Sequence, residues 1–238
     1  MLHLIWQSFA LTKPVFIGLV VAALILPYIP IINWPFSWLE SYFHEISHGL
    51  VGVLTGGSIH GIELALNGSG VCYVTGGIPL LVSFSGYLGA VGWGMLIYVS
   101  SLRDRYSVAK NSLGVMAVGI ALSLGLWGKD FVTYVIGVFM VVLLMLLLRF
   151  RSAFWVSFMV KFCGIYIMVS AVRSPLALID GKDVGDGAYL AQLTGIPELL
   201  WVLGWEALAL LALWVSWQLT LQCQQKQQKQ QKRGIWGR

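Results

Sequence analysis

Two histidines flank a glutamate in Phe43-His44-Glu45-Ile46-Ser47-His48, inside a stretch otherwise too apolar for water. On a helix, residues four apart project from one face, so His44 and His48 come close enough to share one metal ion. Zinc binds imidazole nitrogen well, and the intervening Glu45 is placed to serve as general base towards a water activated by the metal. In a soluble protein the same pattern is often only a solvated helix face. In a membrane span, three ionisable groups in one turn cost several kcal/mol unless they are paired or bound to something, which favours a metal site.

Catalytic zinc usually takes three protein ligands and leaves a position for water. Ten carboxylates and two further histidines are available for the third place. His3 lies near the N-terminus, and His60 lies in a glycine-rich connecting segment, where a surface histidine is the commoner explanation. The remaining cluster is Asp180-Gly181-Lys182-Asp183-Val184-Gly185-Asp186-Gly187, just ahead of an apolar stretch. Asp180 and Asp186 each precede a glycine, which lets the backbone bring a short carboxylate close to a metal. Asp186 also opens the helix expected over residues 187–193, where an aspartate is equally well explained as an N-cap. Spacing alone leaves Asp186 and Asp180 both open as metal ligands.

The elements that must position these groups lie in lipid. Of the 238 residues 58% are hydrophobic and only 11% charged, with a mean hydropathy of +0.81. A soluble domain carries about a quarter of its residues as charges, so there is too little polar surface here to coat a globule in water. Apolar stretches long enough to cross a bilayer core as helices run over residues 14–32, 37–54, 78–99, 112–127, 131–148, 154–172 and 196–221. The expected fold is an all-α polytopic membrane protein of roughly six to seven transmembrane helices. Between the second and third stretches the apolar residues partly alternate around Asn67-Gly68-Ser69-Gly70, the pattern of a small β-hairpin following the catalytic helix. Gly86, Ala90 and Gly94 recur every four residues, a face that lets two helix backbones approach closely in lipid and is expected to pack on the catalytic helix.

Residues 1–221 read as one integral-membrane domain, and residues 222–238 as a disordered, basic tail rich in glutamine and lysine. The net charge of +5 comes largely from that tail, so it bears on membrane orientation and anionic lipid, with no base-stacking motif to suggest nucleic acid. Cys72, Cys163 and Cys223 are scattered and odd in number, as expected of packing residues. With seven crossings, Arg103, Arg105, Lys110, Arg149, Arg151 and the tail share one side, which the positive-inside rule makes cytoplasmic. A helix beginning at Ser37 then puts His44 in the cytoplasmic half of the membrane. Yet seven full crossings also start Asp186 on the opposite face. Either residues 173–194 dip into the bundle, as irregular backbone does where it lines a cavity, or one stretch does not cross.

His44-Glu45-Ile46-Ser47-His48-Gly49-Leu50 followed by Thr55-Gly56-Gly57, then Ser85-Gly86-Tyr87-Leu88-Gly89, and later Asp186-Gly187-Ala188-Tyr189 running to Thr194-Gly195-Ile196-Pro197, resembles the site-2 protease-type intramembrane metallopeptidases, in particular their short bacterial branch. The resemblance runs in order from about residue 40 to about 215. It implies that His44, His48 and an aspartate late in the chain bind zinc, that Glu45 is the base, and that the substrate is a membrane-spanning protein. The Thr194-Gly195-Ile196-Pro197 context assigns the third ligand to Asp186. Ile179-Asp180-Gly181 echoes the leucine-aspartate-glycine ligand motif of the wider family and makes Asp180 the alternative. The chain departs from the pattern in having Gly187 where alanine is expected and in lacking an asparagine-proline before the aspartate.

The main rival is a non-proteolytic membrane protein that binds or transports a metal ion. Such a protein should carry ionisable residues along several spans, whereas Lys161 and Glu206 are the only clear extras. A catalytically silent scaffold has no use for Glu45.

Overall fold

The computed structural model describes residues 13–103, 106–179 and 184–236. Eight helices are described, α1 (Lys13–Ile25), α2 (Pro30–Leu54), α3 (Pro79–Ser100), α4 (Tyr106–Trp127), α5 (Phe131–Arg149), α6 (Ala153–Arg173), α7 (Asp186–Thr194) and α8 (Glu198–Trp236). Between α2 and α3 lie the antiparallel strands β1 (Ser58–Leu64) and β2 (Gly70–Thr75), the hairpin expected there. Five helices are each long and apolar enough to span a membrane, and six spans result if α1 and α2, which pass the same test together, count as one broken span. The protein is an integral, multi-pass membrane protein.

The first two apolar stretches do not form two straight spans. Pro27 and Pro30 interrupt them, and a residue before proline is pushed away from helical geometry; Ile29 takes φ −120° and ψ 81°. The axes of α1 and α2 consequently differ by 109°. From Pro30, a proline well suited to a first helical turn, α2 runs unbroken to Leu54.

α6 is the central helix. Val156, Val160, Ile165, Ile167 and Met168 on it are fully buried, while α4, α5 and α8 expose leucine, valine and phenylalanine outward to lipid. α3 crosses α6 closely at Gly94, where an added Cβ would lie 3.0 Å from the Gly164 carbonyl oxygen. The small-residue face of α3 therefore serves two partners: Gly86 meets α2, as expected, and Gly94 meets α6.

The hairpin is pinned on two sides near its turn. At its tip the Ser41 hydroxyl donates to the Gly68 carbonyl, and the β1 end is tied to α5, where the Leu64 amide donates to the Thr133 hydroxyl at 2.7 Å. Asp130 caps α5 by accepting from the Thr133 and Val132 amides. The Thr133 hydroxyl, which also donates to Asp130, is the main cause of a carboxyl held below the ordinary carboxylate value.

α8 continues as helix from its apolar span through Trp236. Glutamine and lysine are good helix formers, and the preceding apolar span supplies the nucleus that an isolated tail lacks.

Candidate metal centre

Because α2 is regular through Leu54, His44 and His48 stand one turn apart, with ring centroids 4.7 Å apart and Nε2 atoms 3.0 Å apart. The His48 Nδ1–H donates to the Val82 carbonyl at 2.7 Å, which leaves the Nε2 lone pair free to face a ligand. α3 can lie this close only because residue 86 is glycine. A Cβ there would fall 2.4 Å from His48 Nε2 and 2.6 Å from His44 Nε2. Gly86→Ala is accordingly expected to displace both rings and empty the site of metal while the helices still insert. Metal per chain in detergent-purified protein checks this, and full occupancy in the variant would show that the rings have room.

Asp186 closes the triangle. Its Oδ2 lies 3.1 Å from His44 Nε2 and 3.3 Å from His48 Nε2. The N-cap position of α7 belongs to Gly185, whose φ of 107° suits glycine, so Asp186 is the first helical residue and its carboxylate reaches the histidines rather than its own helix. The alternative ligand Asp180, and Asp183, lie outside the described residues. His60 is exposed and pairs with the Ser58 hydroxyl at 3.1 Å, at the β-bulge of β1.

The three donor atoms fit a metal. Zinc bonds of about 2.0–2.1 Å at tetrahedral angles place neighbouring ligand atoms roughly 3.3 Å apart, close to the three separations here. Two imidazoles and one carboxylate are also a donor set of catalytic zinc. His44, His48 and Asp186 are the group among the described residues that could hold a metal ion.

How Asp186 reaches the histidines follows from the helix boundaries. α2 begins at Pro30 rather than Ser37, so His44 lies past its midpoint, near the start of α3. Short connections make α3, α4, α5 and α6 run alternately up and down, so the end of α6 returns to the side where α3 begins. Asp186 thus arrives on the histidines' own side. That side is opposite the end bearing the turns around Arg103 and Arg149, which corrects the placement expected from a helix starting at Ser37.

A family model of the Peptidase M50B-like proteins matches residues 16–216. The chain belongs to this family. The matched stretch holds His44, Glu45, His48 and Asp186 together, in line with the resemblance to site-2 protease-type peptidases. No curated protein and no solved structure matches the chain.

In this M50B-like protein a cavity of about 820 Å³ is lined by His44, His48 and Asp186. Glu45 is buried and lines it, and the hairpin comes close enough that a Cβ at Gly70 would lie 2.7 Å from Glu45 Cγ. β2 forms one wall through Gly70, Cys72 and Val74. The outer edge of β1 is covered by the α4–α5 connection, through the Ile62–Gly128 bridge and the Leu64–Thr133 bond. β2 has β1 as its one strand neighbour among the described residues, and its other edge runs beside the cavity, where the Cys72 amide approaches the Glu45 carboxylate.

Two lining residues escape a reading by motif. Glu40 is buried one turn before His44, and Ser174 Oγ donates to it at 3.5 Å, so Lys161 and Glu206 are not the only ionisable extras within the spans. The spacing that pairs His44 with His48 extends back to Glu40 and is the signal that marks it. Tyr87 packs its ring 4.5 Å from that of His44, and nothing in Ser85-Gly86-Tyr87-Leu88-Gly89 alone announces this. Gly187, unexpected beside Asp186, has a local reason: a Cβ there would lie 2.6 Å from Glu198 Oε1.

Proposed function

We propose that this M50B-like protein is a zinc-dependent intramembrane endopeptidase that hydrolyses peptide bonds of membrane-spanning substrates. The observation that carries this reading is the convergence of His44, His48 and Asp186, with separations of 3.0, 3.1 and 3.3 Å, in a cavity that also contains Glu45. His44, His48 and Asp186 hold the ion. The chemistry zinc supplies in such a site is a water acidified to a pKa of about 7 and a polarised scissile carbonyl. Glu45 accepts the proton of the attacking water on a carboxylate oxygen and hands it to the leaving amide nitrogen.

A peptide bond in a helix within lipid is shielded by its own hydrogen bonds, so the substrate must unwind before water can add. The outer edge of β2 receives the unwound strand by main-chain pairing beside Glu45, which satisfies backbone groups that lipid cannot. Catalysis resides in one membrane domain, residues 1–221. The lysines and arginines at the Arg149 end of the bundle support a cytoplasmic side for that end and for the C-terminus of α8, in a cell membrane.

The experiment is cleavage of a panel of single-span proteins by detergent-purified enzyme. We expect cleavage that a zinc chelator abolishes and added zinc restores. A fully metal-loaded protein that cleaves none of the panel would favour the rival reading of a membrane metal-binding or transport protein.

A further inference from the structure

Tyr87 follows Gly86 on α3, and its ring is held on both sides. It stands edge-on to His44 with centroids 4.5 Å apart and against Trp205 at 4.7 Å. Trp205 is itself fixed, since its Nε1–H donates to the Phe84 carbonyl at 3.1 Å and it is buried with Leu190 and Val202. A ring wedged in this way aims its hydroxyl in one direction.

The other well-buried tyrosines of the bundle engage their hydroxyls, as buried phenols normally do. Tyr42 accepts from Ser123, Tyr98 pairs with Thr220, and Tyr166 donates to Asn33. The Tyr87 hydroxyl has no hydrogen-bond partner among the described residues. It is not sealed off either, because the buried polar atoms without partners belong to Ser157, Glu198, Trp201 and Glu206. Tyr87 lines the cavity together with His44, Glu45, His48 and Asp186, and the hydroxyl is the polar group it can offer there. Asp186, Glu40, Glu45 and Glu198 all lie within electrostatic range of it.

The described lining contains no arginine, lysine, asparagine or glutamine. The neutral side-chain donors of the lining are the hydroxyls of Ser41, Ser69, Ser83, Ser174, Tyr87 and Tyr189, and of these Tyr87 is the one whose ring packs on His44. A tyrosine, with a pKa near 10, is a donor at neutral pH.

We propose that the Tyr87 hydroxyl donates a hydrogen bond to the oxyanion formed when water adds to the scissile carbonyl, which makes Tyr87 a further catalytic residue. In that step the water oxygen bonds to the carbonyl carbon, the carbonyl π electrons move to its oxygen, and Glu45 takes the proton. Tyr87 keeps its own. The proposal rests on the peptidase reading of the site and adds a donor that is already oriented before the charge develops, where such a donor acts most strongly.

Tyr87→Phe keeps the ring against His44 and removes only the hydroxyl. The probes are a phosphinic tetra-alanine pseudopeptide, which mimics the tetrahedral oxyanion, and the matching tetra-alanine amide, each bound to zinc-loaded protein in detergent. Metal content and amide affinity are expected to match wild type within about twofold, while kcat and phosphinic affinity both fall roughly 100-fold, the usual loss for one oxyanion donor. Equal phosphinic affinity in the variant and wild type would overturn the proposal, and so would loss of metal from the variant, which would make Tyr87 a support for His44. Wild-type protein that binds the phosphinic peptide no better than the amide would instead contradict the peptidase reading itself.

Discussion

Glu45→Gln is expected to leave the protein folded and metal-loaded and to lower peptide cleavage about 10²- to 10⁴-fold, the range over which a positioned general base acts. Glutamine has the shape of glutamate, so it fits the narrow space against Gly70, where the backbone comes too near Glu45 to admit a Cβ. Its amide cannot accept the proton of water at neutral pH. Cleavage assayed beside metal content separates this from a general loss of structure. If the variant cuts at the wild-type rate, Glu45 serves only to pack the hairpin against α2.

The second large effect falls on the ligands. His44→Ala or His48→Ala removes one of three donor atoms and leaves the others too few to close the shell. Outer groups that merely orient a ligand change affinity by roughly 10- to 100-fold when lost, so removing a ligand itself is expected to cost more than that. The Val82 carbonyl illustrates the outer contribution, since it orients His48 through Nδ1 and does not involve His44. Zinc per folded chain checks both variants, and full occupancy in both would remove the histidines from the site.

What could be read in the sequence was mostly local. His44, Glu45 and His48 lie within two turns of one helix, so the helical period alone puts the histidines together. The hairpin was equally legible, because Asn67-Gly68-Ser69-Gly70 interrupts alternating residues and the turn chemistry is local. Asp186 is different: it is 142 residues from His44, and only the packing of α3 through α6 determines which side it reaches. Residue types around Asp180 and Asp186 could not resolve that, although the family resemblance favoured Asp186.

The break between α1 and α2 was hidden for a related reason. Hydropathy continues through Pro27 and Pro30, so the apolar run looks unbroken where the backbone turns sharply, and a helix start placed at Ser37 rather than Pro30 moved His44 to the wrong half of its helix. Glu40 followed the same four-residue spacing as the histidines yet carries no motif. Tyr87 acquires its place only from Trp205, which arrives on α8 more than a hundred residues later.

The metal site is tested most directly by zinc per folded chain in wild type, Asp186→Ala, Asp180→Ala and Asp183→Ala. Wild type is expected to carry about one zinc, as a three-ligand catalytic site does. Loss of zinc should rank Asp186→Ala first, Asp180→Ala second and Asp183→Ala last. A normal zinc content in Asp186→Ala beside a low one in Asp180→Ala would contradict the site assembled from His44, His48 and Asp186 and move the third ligand to Asp180.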